Sequence, residues 1–516
     1  LDWSVMADNF KSAFSFEAMH VIWNNLDWQA LLYIPIVLVP FYILEKRRGT
    51  LSKSLQPPSL IKKSIGALLI YSILVLTPYD SYDPYISFFR SIVHYYRNPI
   101  FSELTIPEES PFIRNATEFD AIQVEAPKTR PHIFIIGCES LNANRINRRT
   151  EDGREITPFL NQLSRESVNV TPFYGNSIQT AKGYFALLFS TIPSLSGLAF
   201  VNHEDLNAVS LSSILDDIGY RNLVFSGHDN PNFDNAGPFL NAHDMDFVLS
   251  KPYVGSDAIW RRWGPEDKDF FDAFFTYYDT ELSQSDEPLF VILKTASHHA
   301  PFAPIQQSRR FLYQDTQNIA QDYDNSIYLT DQGVKAFFER IETYPELENS
   351  IIIVTSDHAY PLGEHGYATQ TMGYHEESFR IPFMMQWKGV LAPQQIDRPS
   401  SQMDITPTLL DLLEIEDINT QFIGDSIFSD TNKPIYLVQP YVKHLSVVRY
   451  PLKYRFNTRL QKDYLYNLAK DPMETESILS TVSEEEHAMF QRDLRRMYIS
   501  DYYLNHNLFW PDNESD

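Results

Sequence analysis

Cysteine is almost absent: the 516 residues hold one, Cys138, so no disulfide can close within the chain. That shortage leaves the compartment open, because reduced proteins occur on both sides of a membrane. Basic residues are also scarce. Lys and Arg number 42 against 67 Asp and Glu, giving a formal charge of -25 with no basic face visible in the linear sequence. This excludes nucleic acid as a partner, since its phosphates would be repelled. Internal repeats and low-complexity runs are missing too, which excludes solenoids and disordered arrays. What the chain does have is 43% hydrophobic and 14% aromatic residues, enough for a large core and more than one structural unit.

Two uncharged apolar runs stand near the start. Residues 28–44 (WQALLYIPIVLVPFYIL) approach the length that crosses a hydrocarbon core, and residues 64–79 are shorter but equally uncharged. Between them lie Lys46, Arg47, Arg48, Lys53, Lys62 and Lys63 against Glu45. By the positive-inside rule this loop is cytoplasmic, so the chain after about residue 80 is expected outside the cytoplasm. Pro35 and Pro40 would kink the first span, which membrane helices tolerate. Starting at Leu1 without a cleavable signal, the chain reads as truncated, with residues 1–79 as a membrane region. Residues 80–130 then read as an aromatic-rich interfacial helix followed by a Pro-rich connector; packing of that helix on the following domain is an equal reading.

From residue 131 apolar strands alternate with helical patterns, which predicts an α/β domain over 131–431 with a mostly parallel sheet between helices. Strands are expected at 132–137, 222–225, 289–294, 351–355 and 383–386, and helices at 158–166, 211–218, 268–279, 323–343 and 406–413. After residue 432 short strands at 435–438, 445–450 and 454–457 and a helical tail from 484 predict a small antiparallel subdomain, 432–516.

Two of the apolar strands deliver acids at their carboxyl ends: Glu139 after His-Ile-Phe-Ile-Ile-Gly-Cys, and Asp357-His358 after Ile-Ile-Ile-Val-Thr-Ser. In open α/β sheets ligands gather beyond those ends, so the acids are expected to share one crevice. Carboxylates with an imidazole suit a divalent ion, Mn²⁺ first, with Zn²⁺ or Mg²⁺ as alternatives. Thr180, in Ser177-Ile-Gln-Thr180-Ala-Lys-Gly183-Tyr184, would be a hydroxyl activated beside that ion. Taken singly, Thr180 also reads as a helix cap and Asp357-His358 as a polar loop; the combination carries the catalytic reading.

With these residues in view the chain resembles the alkaline phosphatase and sulfatase superfamily, and within it the lipoteichoic-acid-synthase-like phosphoglycerol transferases. The resemblance rests on Ile-Ile-Gly-Cys-Glu139-Ser, Thr157-Pro-Phe-Leu-Asn161, Gln179-Thr180, Trp263-Gly-Pro-Glu-Asp267-Lys-Asp-Phe-Phe271 and Ser297-His-His-Ala-Pro-Phe302. It continues through Ser356-Asp-His-Ala-Tyr-Pro-Leu-Gly-Glu-His-Gly366, Asp404-Ile-Thr-Pro407 and Asp471-Pro-Met-Glu474, spanning about residues 130 to 480. It implies a metal set of Glu139, Thr180, Asp357 and His358, with Thr180 also the attacking group. His299 would touch phosphate or leaving group, and Trp263 with Arg262 would hold the head group, Arg261 being an equal candidate. His375 stands where sulfatases commonly have tyrosine; a substrate contact and a surface role are both open.

Departures narrow the choice. Thr180 is not in the Cys/Ser-x-Pro/Ala-x-Arg setting that sulfatases convert to formylglycine, and the disulfides usual in phosphoethanolamine transferases cannot form. The resemblance therefore implies a transferase anchored in a bacterial cytoplasmic membrane, its catalytic domain facing the periplasm or exterior. It would move a phosphoglycerol-type group from a phospholipid donor to a glycan or lipid-linked envelope acceptor through a phospho-threonine. A hydrolase, a phosphoethanolamine transferase and a non-catalytic lipid-binding relative are the alternatives.

Overall fold

The computed structural model describes residues 106–107, 109–115, 129–302 and 306–510. The two expected spans, the interfacial helix and most of the connector lie outside the described residues, among which no helix is long and apolar enough to cross a membrane.

The central sheet has eight strands, in chain order β1 (His132–Cys138), β2 (Val168–Val170), β3 (Arg221–Ser226), β4 (Asp246–Leu249), β5 (Leu289–Lys294), β6 (Ser350–Ser356), β7 (Met384–Trp387) and β8 (Gln394–Ile396). Across the sheet the order is β8-β2-β7-β6-β1-β5-β3-β4. All neighbours pair in parallel except at β7, which runs antiparallel to both β2 and β6. The strand expected at 383–386 is thus present, shifted by one residue and reversed in direction; an apolar run records burial, not polarity of the chain.

Strands β1 and β6 lie at the centre because both their faces are apolar: Ile133 to Ile136 are fully buried, as are Ile351, Ile353 and Val354. One face packs on α4 (Asp267–Tyr277) and α5 (Ile319–Ile341), with Phe134, Ile136, Val291 and Leu293 meeting Phe271, Phe274 and Phe337 in one cluster. Each such side chain contributes about 1.5–3 kcal/mol on burial. Earlier in the chain come α1 (Pro158–Glu166), α2 (Thr180–Phe189) and α3 (Leu211–Asp217). Helix α2 lies on the opposite face, placed by two glycines. A Cβ on Gly137 would stand 2.1 Å from the Tyr184 hydroxyl, and one on Gly183 would stand 2.1 Å from the Asp357 carbonyl oxygen. Helix α6 (Ile405–Leu412) follows the sheet, every residue of it buried.

Beyond residue 432 four strands, β9 (Ile435–Gln439), β10 (His444–Arg449), β11 (Leu452–Asn457) and β12 (Lys462–Asn467), form an antiparallel sheet in sequential order. Helix α7 (Glu484–Asn505) closes it, with Tyr454 stacked on Phe490 at 5.5 Å and Arg449 gripping Asp493 at 2.6 and 2.9 Å. The fourth strand is not among those expected: in Lys462-Asp-Tyr-Leu-Tyr-Asn467 only the adjacent Leu465 and Tyr466 are buried, so no period-two apolar pattern marks it.

Candidate metal and phosphoryl-transfer site

The sheet's carboxyl edge gathers the acids. Glu139 follows β1 and Asp357 follows β6, and these two strands are direct neighbours with Cys138 opposite Ser356. The loops lock together there. The Ser140 and His358 N–H groups donate to Asp357 Oδ1 at 2.9 Å each, and the Ser356 hydroxyl donates to the Cys138 carbonyl at 2.7 Å. Ser140 takes a left-handed φ of 57°, and its carbonyl is held by the Tyr323 hydroxyl at 2.7 Å. Gln402 braces the other side, donating to the Ser356 and Asp357 carbonyls at 2.9 and 2.7 Å while accepting from the Asn176 N–H.

These contacts leave one side of the acids undressed. Glu139, Asp357 and His358 are all buried, and one donor atom from each lies within 4.8 Å of the others. His358 Nδ1 faces the Ala359 carbonyl at 3.0 Å, so that nitrogen carries the ring proton and Nε2 presents a lone pair. Nε2 lies 3.6 Å from Glu139 Oε1 and 3.4 Å from Asp357 Oδ2. Nε2 and Asp357 Oδ2 are buried with no hydrogen-bond partner among the described residues. Buried polar atoms are seldom left so. Separations of this size are what ligands adopt about a cation with bonds of about 2.1 Å, so the residues fit a divalent ion.

Charge supports the same fit. Burial, and then the charge of Asp357, push the Glu139 carboxyl above its usual range. Burial also pushes Asp357 up, but His358, the Ser140 N–H, the Thr180 hydroxyl and Lys294 outweigh it and hold that carboxyl below its usual range. Two acids confined together need positive charge nearby.

Thr180 is the first residue of α2 and is half-buried, with its hydroxyl near enough to Asp357 to help hold that carboxyl ionised. Of the four residues expected to form the quartet, the structure brings Glu139, Asp357 and His358 together and sets Thr180 beside Asp357. Gly183 is what allows it: one turn below Thr180, only a residue without Cβ lets the helix touch the Asp357 loop. Lys182 turns away, its ammonium donating to the Ser194 and Ser196 carbonyls.

The other expected contacts divide. His299 is half-buried beside Glu139, with Nδ1 against the Ala300 carbonyl at 2.8 Å and its ring 4.6 Å from that of Trp263. Trp263 in turn donates to the Ala300 carbonyl at 3.1 Å. Arg262 is exposed over the Trp263 ring at 5.4 Å, whereas the Arg261 side chain is turned inward in an ion pair with Glu266 at 2.9 Å. His375 is only 7% exposed and stacks on His365 with ring centres 3.7 Å apart, so it is no surface residue. Its ring contacts are with His365, Tyr367 and Tyr374. His298, adjacent to His299, is fully buried against Phe302 and Tyr323.

Sequence inspection passed over His228, Asp234 and Lys294. Lys294 ends β5 and His228 follows β3, so the signal was available: both sit at carboxyl ends of parallel strands, as Glu139 does.

The sulfatase family profile matches residues 131–415, more than half of the sequence. The chain belongs to the sulfatase family. Among its relatives, the lipoteichoic acid synthase-like YvgJ of Bacillus subtilis is 24% identical over 347 residues, covering 63% of this chain and 55% of that protein. The lipoteichoic acid synthase of Staphylococcus aureus is 26% identical over 400 residues, covering 74% and 58%. The chain spans about half the length of the curated relatives it matches. By structure it is similar to an alkaline phosphatase superfamily protein from Vibrio parahaemolyticus, with a TM-score of 0.63, 20% identity and 80% and 94% of the two chains covered. It is similar also to the lipoteichoic acid synthase LtaP of Listeria monocytogenes, with a TM-score of 0.61, 19% identity and 79% and 97% covered. The sulfatase-family fold and the likeness to lipoteichoic acid synthases agree with the resemblance read from the motifs.

Proposed function

We propose that the protein is a metal-dependent transferase that moves a phosphoglycerol-type group from a phospholipid to an envelope acceptor by way of phospho-threonine. The observation that carries this reading is the convergence of Glu139, Asp357 and His358 beside the half-buried Thr180, with a carboxylate oxygen and an imidazole nitrogen that are buried and have no hydrogen-bond partner among the described residues. The named relatives are lipoteichoic acid synthases, which supports a phospholipid-linked substrate over a sulfate ester.

Glu139, Asp357, His358 and the Thr180 oxygen would hold the divalent ion. When bound, that ion stabilises alkoxide on threonine and charge on phosphoryl oxygens. In the first half-reaction the Thr180 Oγ–P bond forms and the P–O bond to diacylglycerol breaks. The threonine proton passes to Asp357, the carboxylate on which that hydroxyl acts. His299, with Nδ1 engaged by a carbonyl, offers Nε2 to protonate the departing diacylglycerol oxygen. In the second, an acceptor hydroxyl forms the new O–P bond, its proton passing to His299, and threonine leaves and regains its own. The membrane segments read at residues 28–44 and 64–79 would keep this crevice at the outer leaflet, where diacylglycerol remains after transfer.

The test is mass spectrometry of the Thr180 peptide after incubating the protein with phosphatidylglycerol and Mn²⁺ in the absence of acceptor. A phosphoglycerol adduct on Thr180, discharged on adding a glycan or glycolipid acceptor, is expected. Lipid turnover without any such adduct would overturn the covalent route, and discharge by water alone at the same rate would make the enzyme a hydrolase.

A further inference from the structure

Outside the metal quartet the same crevice carries a second, bipolar set of groups. Alternation along β1 puts Ile133, Ile135, Gly137 and then Glu139 toward the face covered by α2. Lys294 is in register with Gly137 on one side and Ser226 on the other, so its side chain rises from that same face, between the strand that bears Glu139 and the strand that leads to His228. Its ammonium acts on Glu139, Asp357, His228 and Asp234, yet among the described residues no carboxylate approaches it within 4.0 Å.

Asp234 stands farther out, on the loop after β3. It is half-buried at a left-handed φ of 51°, and the next residue, Asn235, pins the loop by donating to the Phe200 carbonyl at 3.0 Å and to Glu204 at 2.7 Å. Among the described residues the Asp234 carboxylate receives no hydrogen bond, although burial raises its pKa and Lys294 and His299 lie near enough to oppose that rise. Beside it the rings form a continuous wall: Phe233 on His228 at 4.6 Å, Phe233 to Trp263 at 5.9 Å and Trp263 to His299 at 4.6 Å. From the metal ligands outward, the crevice thus runs from cation to anion along an aromatic side.

A phosphate at Thr180 would meet Lys294, and a carboxylate lacking donors is matched by a ligand part rich in them. We propose that Lys294 and Asp234 divide the donor's head group between them, Lys294 holding the non-bridging phosphate oxygens and Asp234 accepting hydrogen bonds from the glycerol hydroxyls. The rings then cover the C–H faces of the polyol. This rests on the phospholipid-donor reading above and adds to it the residues that select the head group. A site built to pair hydroxyls discriminates strongly against analogues that lack them.

The experiment uses the full chain carrying Thr180→Ala, loaded with Mn²⁺, in calorimetry with inorganic phosphate, sn-glycerol 1-phosphate and 2-aminoethyl phosphate. Lys294→Met is expected to weaken phosphate and glycerol phosphate alike by about tenfold, with Lys294→Arg restoring most of the loss. Asp234→Ala is expected to weaken glycerol phosphate by about tenfold and to leave inorganic phosphate unchanged. Unaltered phosphate binding in Lys294→Met overturns the lysine's role. Tighter binding of 2-aminoethyl phosphate than of glycerol phosphate, or equal losses for both ligands in Asp234→Ala, overturns the hydroxyl assignment. Should none of the phosphates bind the Mn²⁺-loaded protein, the phospholipid-donor reading itself fails, a result distinct from binding without selectivity.

Discussion

Two clusters of histidine and carboxylate in this protein look alike by composition and differ in what they can do. Glu139, Asp357 and His358 form one; His365, His375 and Glu377 form the other, with the same spread of ligand atoms. In the first, a carboxylate oxygen and an imidazole nitrogen, without hydrogen-bond partners among the described residues, converge on a spot beside Thr180. In the second, His365 is spent: Nδ1 meets Glu377 at 2.8 Å and Nε2 meets the Met473 carbonyl at 2.6 Å. Both partners only accept, so both ring nitrogens carry protons. Burial alone would lower its pKa, but those two acceptors raise it. His375 keeps one unpartnered nitrogen, but its ring lies 11° from parallel with that of His365. Imidazole lone pairs lie in the ring plane, and parallel planes do not converge on a cation. Burial, with the charges of His365, Arg455, Lys453 and His444, takes His375 down to about 2, so a neutral ring is stacked on a charged one. The first cluster has the geometry of a metal site and the second is a joint between the eight-stranded sheet's loops and the C-terminal subdomain. Direction of lone pairs separates them, not inventory.

The largest effect that would test this contrast is Thr180→Ala, expected to lower lipid turnover by about a thousandfold or more while Glu139, Asp357 and His358 still hold the ion and melting temperature stays near wild type. Retained turnover would remove the chemistry from the first cluster. Next, metal analysis should find one ion per chain, lost in Asp357→Asn or His358→Ala but kept in His365→Ala and His375→Phe. A second equivalent that vanishes with His365 would erase the distinction drawn here. The joint should fail by a different route. Lys453 is fully buried between Glu376 at 3.0 Å and Glu474 at 2.9 Å, so Lys453→Met removes their nearest cation, leaving Arg380 and Arg455 at 3.8 Å, and should cost about 3 kcal/mol in denaturant unfolding with metal content unchanged. A smaller cost, about 1–3 kcal/mol, is expected for Gly183→Ala, accompanied by reduced activity because the added methyl must push α2 off the Asp357 carbonyl.

The smallest effect concerns pH. Because folding raises the pKa of His365, its contribution is fully present below the unfolded value of about 6.5 and fades as pH climbs through the folded value. Melting temperature should therefore fall more steeply above about pH 6.5 in wild type than in His365→Gln, by an amount worth less than about 1 kcal/mol at this partly exposed position. Parallel curves would show that the ring is not held charged.

Much of the catalytic domain was legible because its strands are unbroken apolar runs and its helices repeat at 3.6 residues. Helix α1 matches its expected bounds, and α4, α5 and α6 differ from theirs only near the ends. The short strands β2, β4 and β8, at or next to the sheet's two edges, left no such trace, having three or four residues each and mixed burial. The reversed direction of β7 and the pairing of β12 depend on partners far away in sequence. Arg261 shows the same limit at the site: from sequence it equalled Arg262 as a head-group ligand, and only the fold reveals that Glu266 holds it.

By itself the order of residues determined that an α/β sheet would form and that acids would stand at the ends of its strands, since local apolarity and strand termini are written in consecutive letters. It determined as well which hydroxyl was worth watching, because Thr180 lies just ahead of a helix and three residues before a glycine. Which histidines face a cation and which are consumed by neighbours was decided by tertiary structure alone. The reason is physical: a ligand atom is defined by what else its lone pair already meets. Those partners, Ala359 for His358 and Glu377 with Met473 for His365, are set by loop geometry and by a chain segment more than 100 residues away.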